Sequence, residues 1–205
     1  MLKKLYNLPA KMESRINKYH NKIIKKFIDI VISIFLFVIL LPIVFIIIFS
    51  IVKLTDGGSV LFKQKRFGYK REIFTIYKFR SMNLDGKEYT KYGNFIRKRF
   101  IDEIPQIINV LKGEMSVVGP RPHAVEEDLK YSGMLSEYNN RYEVLPGITG
   151  WAQVNNLRGK LNDELIKKRL DYDLWYIRNW SLWLDVKIIF MTLWKMIKGD
   201  RSSKC

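Results

Sequence analysis

Asp102 and Glu103 are adjacent carboxylates, with Arg97, Lys98 and Arg99 just before them and Pro105 just after. Gly119-Pro120-Arg121-Pro122 follows downstream, and a long uncharged apolar stretch lies upstream. An acidic pair among cations suits chemistry on a phosphate with a metal ion. At a helix N-terminus the free N–H groups and the dipole favour negative charge, so an aspartate there stays ionised and a phosphate is welcome. An ionised Asp102 can attack phosphorus and form an acyl phosphate. Its neighbour Glu103 can hold Mg²⁺, which binds through one or two carboxylates and phosphate oxygens. The plainer alternative stays open: Asp102 is also a good N-cap, with Pro105 in the first turn where its missing N–H costs nothing. Arg121 sits between two prolines that stiffen the backbone and fix where a guanidinium points, and arginine chelates phosphate oxygens bidentately. Lys78, Arg80 and Arg97 are further cation candidates, each equally readable as a solvated or lipid-facing charge.

These residues need a scaffold. Val60 to Phe62 and Phe74 to Phe79 read as short strands. Ile104 to Leu111 reads as a helix closed by Gly113, Glu126 to Tyr142 as a helix, and Pro146 to Gly150 as a loop. Asp163 to Tyr176 and Leu182 to Ile197 read as two more helices, and Asp56-Gly57-Gly58-Ser59 as a turn. The expected fold is α+β and mainly helical, with little sheet.

The run from Ile30 to Val52 carries no charge and, at 23 residues, is long enough to cross a bilayer. It starts too late and runs too long for a secretory signal. Pro42 falls near its middle, where proline removes a backbone hydrogen bond and bends a helix. Both flanks are basic: Lys22, Lys25 and Lys26 before it, Lys53, Lys63 and Lys65 after it. Positive charge marks the cytoplasmic side. If both ends obey that rule, the segment is a re-entrant hairpin of two half-helices, with positions near 20 and near 65 on one side; a straight anchor is the alternative. Asp29 at the boundary should pair with Lys25 or Lys26. Residues 1–29, with Leu2, Leu5, Ile16, Ile23, Ile24 and Phe27 among lysines, read as a basic amphipathic segment. Residues 53–205 then form a cytosolic domain. Trp175, Tyr176, Trp180, Trp183 and Trp194 crowd its last quarter, either at a membrane interface or in the core.

The net charge is +16, from 36 Lys and Arg against 20 Asp and Glu. That favours an anionic partner: nucleic acid, anionic lipid or a phosphorylated substrate. The single cysteine, Cys205, excludes a disulfide framework within one chain. A nucleic-acid-binding protein would explain the charge but not the uncharged run. A non-enzymatic membrane adaptor would need Asp102 to be a simple cap.

Several motifs recur in order: Lys25-Lys26-Phe27-Ile28-Asp29, Ile76-Tyr77-Lys78-Phe79-Arg80-Ser81-Met82, Asp102-Glu103-Ile104-Pro105-Gln106, Asn109 to Ser116, Gly119-Pro120-Arg121-Pro122 and Pro146 to Asn155. Together, over about residues 22–198, they resemble the bacterial sugar transferases, the monotopic phosphoglycosyl transferases that start glycan assembly on polyprenyl phosphate. The resemblance implies transfer of sugar-1-phosphate from a UDP-sugar to polyprenyl (undecaprenyl) phosphate, releasing UMP, at the cytoplasmic face of the bacterial inner membrane. It implies Asp102 as nucleophile, Glu103 as Mg²⁺ ligand, and Arg97 and Arg121 near the phosphates or uridine. Lys78 matches a lysine of the same region and Asp173 a C-terminal acid. It favours the re-entrant helix, broken at Pro42, although Leu41 stands where the family often has serine. Arg121 to Val125 and Tyr176 to Asp185 look closer to the branch that transfers glucose- or galactose-1-phosphate for capsule and exopolysaccharide. Larger members of that branch carry an N-terminal multi-span domain, and this chain resembles the catalytic part alone. UDP-sugar, polyprenyl phosphate and membrane lipids are the implied partners, nucleic acid is not, and a homo-oligomer is left open.

Overall fold

The structure, a computed structural model, describes residues 14–55, 57–158 and 162–199. Leu2, Leu5, Asp56 and Cys205 lie outside the described residues.

The first element is α1 (Tyr19–Phe35), which passes through a π-helical turn (Leu36–Leu40) into α2 (Leu41–Thr55). The expected break at Pro42 takes a specific form. Proline has no N–H to give to the carbonyl one turn back, and the chain answers with a wider turn in which the Leu41 N–H reaches the Leu36 carbonyl. Helical hydrogen bonding therefore runs on through the proline, and the expected break takes the form of this wider turn between α1 and α2. His20–Thr55 is long and apolar enough to cross a membrane. Both limbs dock on the same globular body. Lys25 reaches Asp185 at 2.7 Å, while Ile48 and Val52 pack with Phe79 and Ile96. Asp29 does not take the ion pair expected with Lys25 or Lys26. Its carboxylate accepts the Val117 N–H at 3.1 Å, because Lys25 is drawn to Asp185.

β1 (Leu61–Phe67) and β2 (Ile73–Phe79) form an antiparallel hairpin from Leu61↔Phe79 to Phe67↔Ile73. β1 is longer than its apolar start suggested, since its cations alternate: Lys63 and Lys65 point outward, and Arg66 is buried on the Pro122 carbonyl. Arg80 also leaves the list of site candidates, because its guanidinium donates to the carbonyls of Ser59 and Gly57. α3 (Lys91–Lys98), which sequence patterning did not reveal, is capped by Thr90. A 3₁₀ segment (Ile101–Gln106) runs into α4 (Ile107–Leu111).

β3 (Ser116–Val118) pairs in parallel with β4 (Gly147–Thr149), so the expected 146–150 loop is partly strand. The pairing depends on missing side chains. A Cβ on Gly147 would stand 2.0 Å from the Gly119 nitrogen, and one on Gly150 2.2 Å from the Gly119 carbonyl. α5 (Val125–Met134) stops short of the expected Tyr142. A 3₁₀ segment (Tyr138–Glu143) takes over and drives Tyr138 into the core.

α6 (Trp151–Val154), α7 (Asp163–Asn179) and α8 (Leu182–Lys198) complete the body. The C-terminal aromatics divide between both expected roles. Tyr176 and Trp180 are core residues, whereas Trp175, Trp183 and Trp194 are exposed. Trp183, Phe190 and Trp194 share an open apolar surface of α8, and Val38, Ile43 and Ile46 are exposed on the long helix.

Candidate active site

Asn109 sets the register of the site. Fully buried, it donates to the Thr75 carbonyl at 2.7 Å and accepts the Tyr77 N–H at 3.2 Å, pinning α4 to β2. The 3₁₀ segment before α4 is thereby held against Lys78. Its entry is strained: Phe100 occupies the N-cap position with φ 58°, a left-handed conformation that an aromatic residue rarely adopts. Such strain persists only where packing over-determines it. Here the Phe100 ring lies 3.8 Å below the Arg158 guanidinium.

Asp102 is accordingly not a cap. It is the second residue of the 3₁₀ segment, 5% exposed, and its Oδ1 is buried with no hydrogen-bond partner. Burial, and then the charge of Glu103, push its carboxyl above the usual range, against the pull of Lys78, Arg158 and Arg97. Burial thus works against the ionised form of Asp102, and the neighbouring cations work for it.

Glu103 is the centre of charge. Its Oε1 accepts from Lys78 Nζ and Arg121 Nη2, both at 2.8 Å. Its Oε2 meets Arg121 Nη1 at 3.2 Å and Arg158 Nη2 at 2.9 Å. A carboxylate has about four acceptor sites, so Glu103 is saturated. Although burial pushes its carboxyl up, Arg121, Arg158 and Lys78 hold it well below the ordinary value. Burial, opposed by Glu103, lowers Lys78 to about 8.

Arg121 is aimed by its backbone. Arg141 donates to the Arg121 carbonyl and Arg66 to the Pro122 carbonyl, so both peptides flanking the turn are gripped by buried arginines. Asp173 belongs to this support. It is buried and accepts Arg141 Nε at 2.9 Å, on the far side of the arginine that grips the Arg121 carbonyl. Arg97, at the end of α3, lies over the Tyr89 ring at 4.2 Å, on the Asp102 side. The structure therefore brings together Lys78, Asp102, Glu103, Arg121 and Arg97. Asp173 stands off, and Pro42 and Asp29 belong to the long helix. Arg158 was missed by sequence reasoning. The only signal was an arginine shortly after the Trp151–Asn155 motif, with nothing to show that it folds back onto Glu103.

A cavity of about 170 Å³ opens beside this cluster. Glu103 and Arg158 stand at its polar edge, and its apolar wall includes Leu36 and Leu40 of the long helix with Ile107 and Ile189. Thr149 and Thr192 share a hydrogen bond at 2.7 Å on another part of its lining. Buried charge and an apolar channel thus meet at one place.

Residues 20–199 match the family model described as bacterial sugar transferase. A UDP-glucose:undecaprenyl-phosphate glucose-1-phosphate transferase of Escherichia coli (strain K12) is 45% identical over 157 residues, covering 70% of this chain and 34% of that protein. The uncharacterized sugar transferase EpsL of Bacillus subtilis (strain 168) is 43% identical, covering 74% of this chain and 76% of its own length. A UDP-N-acetylgalactosamine-undecaprenyl-phosphate N-acetylgalactosaminephosphotransferase of Aeromonas hydrophila is 40% identical, covering 73% and 38%. The chain spans about a third of the length of the glucose-1-phosphate transferase of Escherichia coli.

Proposed function

The chain belongs to the bacterial sugar transferase family, and from that premise we propose that it moves a hexose-1-phosphate from a UDP-sugar to polyprenyl phosphate, releasing UMP. The observation that carries this reading is the juxtaposition of a buried, unpartnered Asp102 oxygen, a cation cluster and an apolar channel walled by a membrane-length helix. One substrate of such a site is a diphosphate and the other an apolar chain with a phosphate head.

In the proposed reaction the Asp102 carboxylate attacks the phosphorus that bears the sugar. The phosphorus–oxygen bond to UMP breaks, and UMP leaves with that bond's electron pair. The lipid phosphate then attacks the same phosphorus and Asp102 departs as a carboxylate, leaving a polyprenyl diphosphate sugar. Lys78, Arg121 and Arg158 neutralise the donor phosphates, and Lys78, Arg158 and Arg97 favour the ionised form of Asp102 against burial. Arg97 faces the same substrate from α3. Arg141 and Asp173 hold Arg121 in place.

Mg²⁺ is part of the same proposal. The donor set fits it, because Asp102 Oδ1 is a buried carboxylate oxygen with no partner and Mg²⁺ takes one or two carboxylates plus phosphate oxygens. Glu103 would hold it once a cation among Lys78, Arg121 and Arg158 turns from Glu103 to an incoming phosphate. Bound there, Mg²⁺ supplies charge neutralisation for the transferred group.

The protein is proposed to sit in the cytoplasmic leaflet of the bacterial inner membrane, with the long helix re-entrant and the exposed α8 aromatics at the interface. The basic flanks of the uncharged run and the docking of both limbs on one body support that seat. The names of the relatives favour glucose as donor, with N-acetylgalactosamine as the competing reading.

Two outcomes are expected. In a panel of UDP-sugars with polyprenyl phosphate, UMP release should be greatest with UDP-glucose or UDP-galactose and should require the lipid phosphate for multiple turnovers. Release confined to UDP-N-acetylhexosamines would overturn the hexose assignment. The second outcome concerns pH. Below about 8 Lys78 is a cation, and above that it loses its proton. The KM for the UDP-sugar should therefore climb between pH 7.5 and 9, about tenfold per unit at the upper end, and Lys78→Arg should flatten the climb.

A further inference from the structure

A second cavity, of about 350 Å³, lies between α1, α4 and the Glu143–Leu145 segment. We infer that it binds one diacyl anionic phospholipid, with the lipid phosphate on Lys22, Lys26 and Lys112. The inference rests on the membrane seat proposed above, not on the chemistry assigned to Asp102.

The cavity is separate from the carboxylate site. Neither Asp102 nor Glu103 lines it, and α1 with β3 stands between the two: Ile32 and Val117 face the cavity beside Glu103, whereas Lys22, Lys26 and Ile30 face this one. Those last three recur every fourth residue, which puts them on one stripe of α1. The stripe passes from charge to hydrocarbon where the uncharged run begins at Ile30. A cavity at that level lies at headgroup depth when the run is in the bilayer.

Its chemistry suits an anionic amphiphile. Lysines 22, 25, 26 and 112 line it against two acids, Asp29 and Glu143, so an excess of one positive charge is left once Lys25 pairs with Asp185. Lys25 is committed to Asp185, and Asp29 to the Val117 N–H. Lys22 and Lys26 are exposed on α1, and Lys112 stands across from them, resting on the Tyr77 hydroxyl at 3.1 Å. Below the cations the wall is apolar, with Ile30, Val110, Met115 and Leu145. A soluble anion would leave that wall unused. Ile23 and Phe27, exposed beside the same stripe, offer further surface for acyl chains. An isoprenoid phosphate held here would have its phosphate away from both carboxylates, so this is a site for a structural lipid that clamps the first limb of the long helix to the globular body.

The test is retention of lipid by the full chain, purified in mild detergent from nanodiscs of phosphatidylcholine with or without phosphatidylglycerol and read by native mass spectrometry. The wild type should keep one phosphatidylglycerol and no phosphatidylcholine. K22Q/K26Q/K112Q should lose it by at least about tenfold, whereas K87Q/K130Q/K167Q, with the same change in charge on other exposed surface, should keep it. Asn17→Trp, which fills the mouth with the lysines intact, should also lose it. Equal loss from both triple variants, retention of polyprenyl phosphate in preference, or full competition by inorganic phosphate would overturn the inference. UMP release is not the readout, so failure here leaves the proposed reaction standing, and failure of the reaction leaves this site standing.

Discussion

Asp102→Asn is expected to abolish UMP release, by at least about 10³-fold, while the chain still folds. Asparagine is nearly isosteric and its neutral amide removes a buried charge, so thermal stability should hold or rise. Burial and the neighbouring Glu103 both disfavour ionised Asp102, and deleting a group that costs the folded state energy does not weaken the fold. Loss of activity together with preserved stability is the signature of a functional residue. Quenching the wild type with UDP-sugar alone should trap one sugar-phosphate per chain on Asp102, and the kinetics with lipid should be ping-pong. An adduct on another residue, or kinetics of direct transfer in a ternary complex, would overturn the assignment.

Glu103→Gln is expected to damage both stability and turnover. It removes the counter-charge shared by Lys78, Arg121 and Arg158, whose side chains are 12%, 17% and 13% exposed. Breaking a buried pair of this kind costs about 3–5 kcal/mol, because the charges left behind stay desolvated. Scanning calorimetry should show a fall in Tm of roughly 10 °C or more, and UMP release should drop with a shallower dependence on Mg²⁺. The two effects can be separated. Adding Lys78→Met to Glu103→Gln removes one stranded cation and should restore part of the stability, with no gain in turnover. If the double variant recovers activity along with stability, Glu103 acts only as scaffold.

Much of this was legible in the chain. The pairing of Asp102 with Glu103, the confinement of Arg121 between prolines and the uncharged stretch around Pro42 are local patterns, and the structure keeps each of them together. The helices α7 and α8 lie within a few residues of their expected bounds. What was not legible has one cause. β3 and β4 are three-residue strands whose pairing depends on glycine contacts between distant segments, and so short an apolar run carries no period of its own. α5 ends early because Tyr138 is needed in the core, a tertiary demand that overrides helix propensity.

By itself, then, the order of residues determined which chemistry is possible here: an acidic dyad among cations, a membrane-length apolar run, and a family of motifs in sequence. Only the folded arrangement decided the partners. Asp102 proved to be a buried carboxylate with one unpartnered oxygen instead of a cap, Arg158 came back from a distant loop to complete the clamp on Glu103, and Asp173 pairs with Arg141. Spacing along a chain constrains neighbours within a turn or a strand. Which charge meets which across the core is set by the packing of elements far apart in sequence, where burying an unmatched charge costs too much for more than a few pairings to survive.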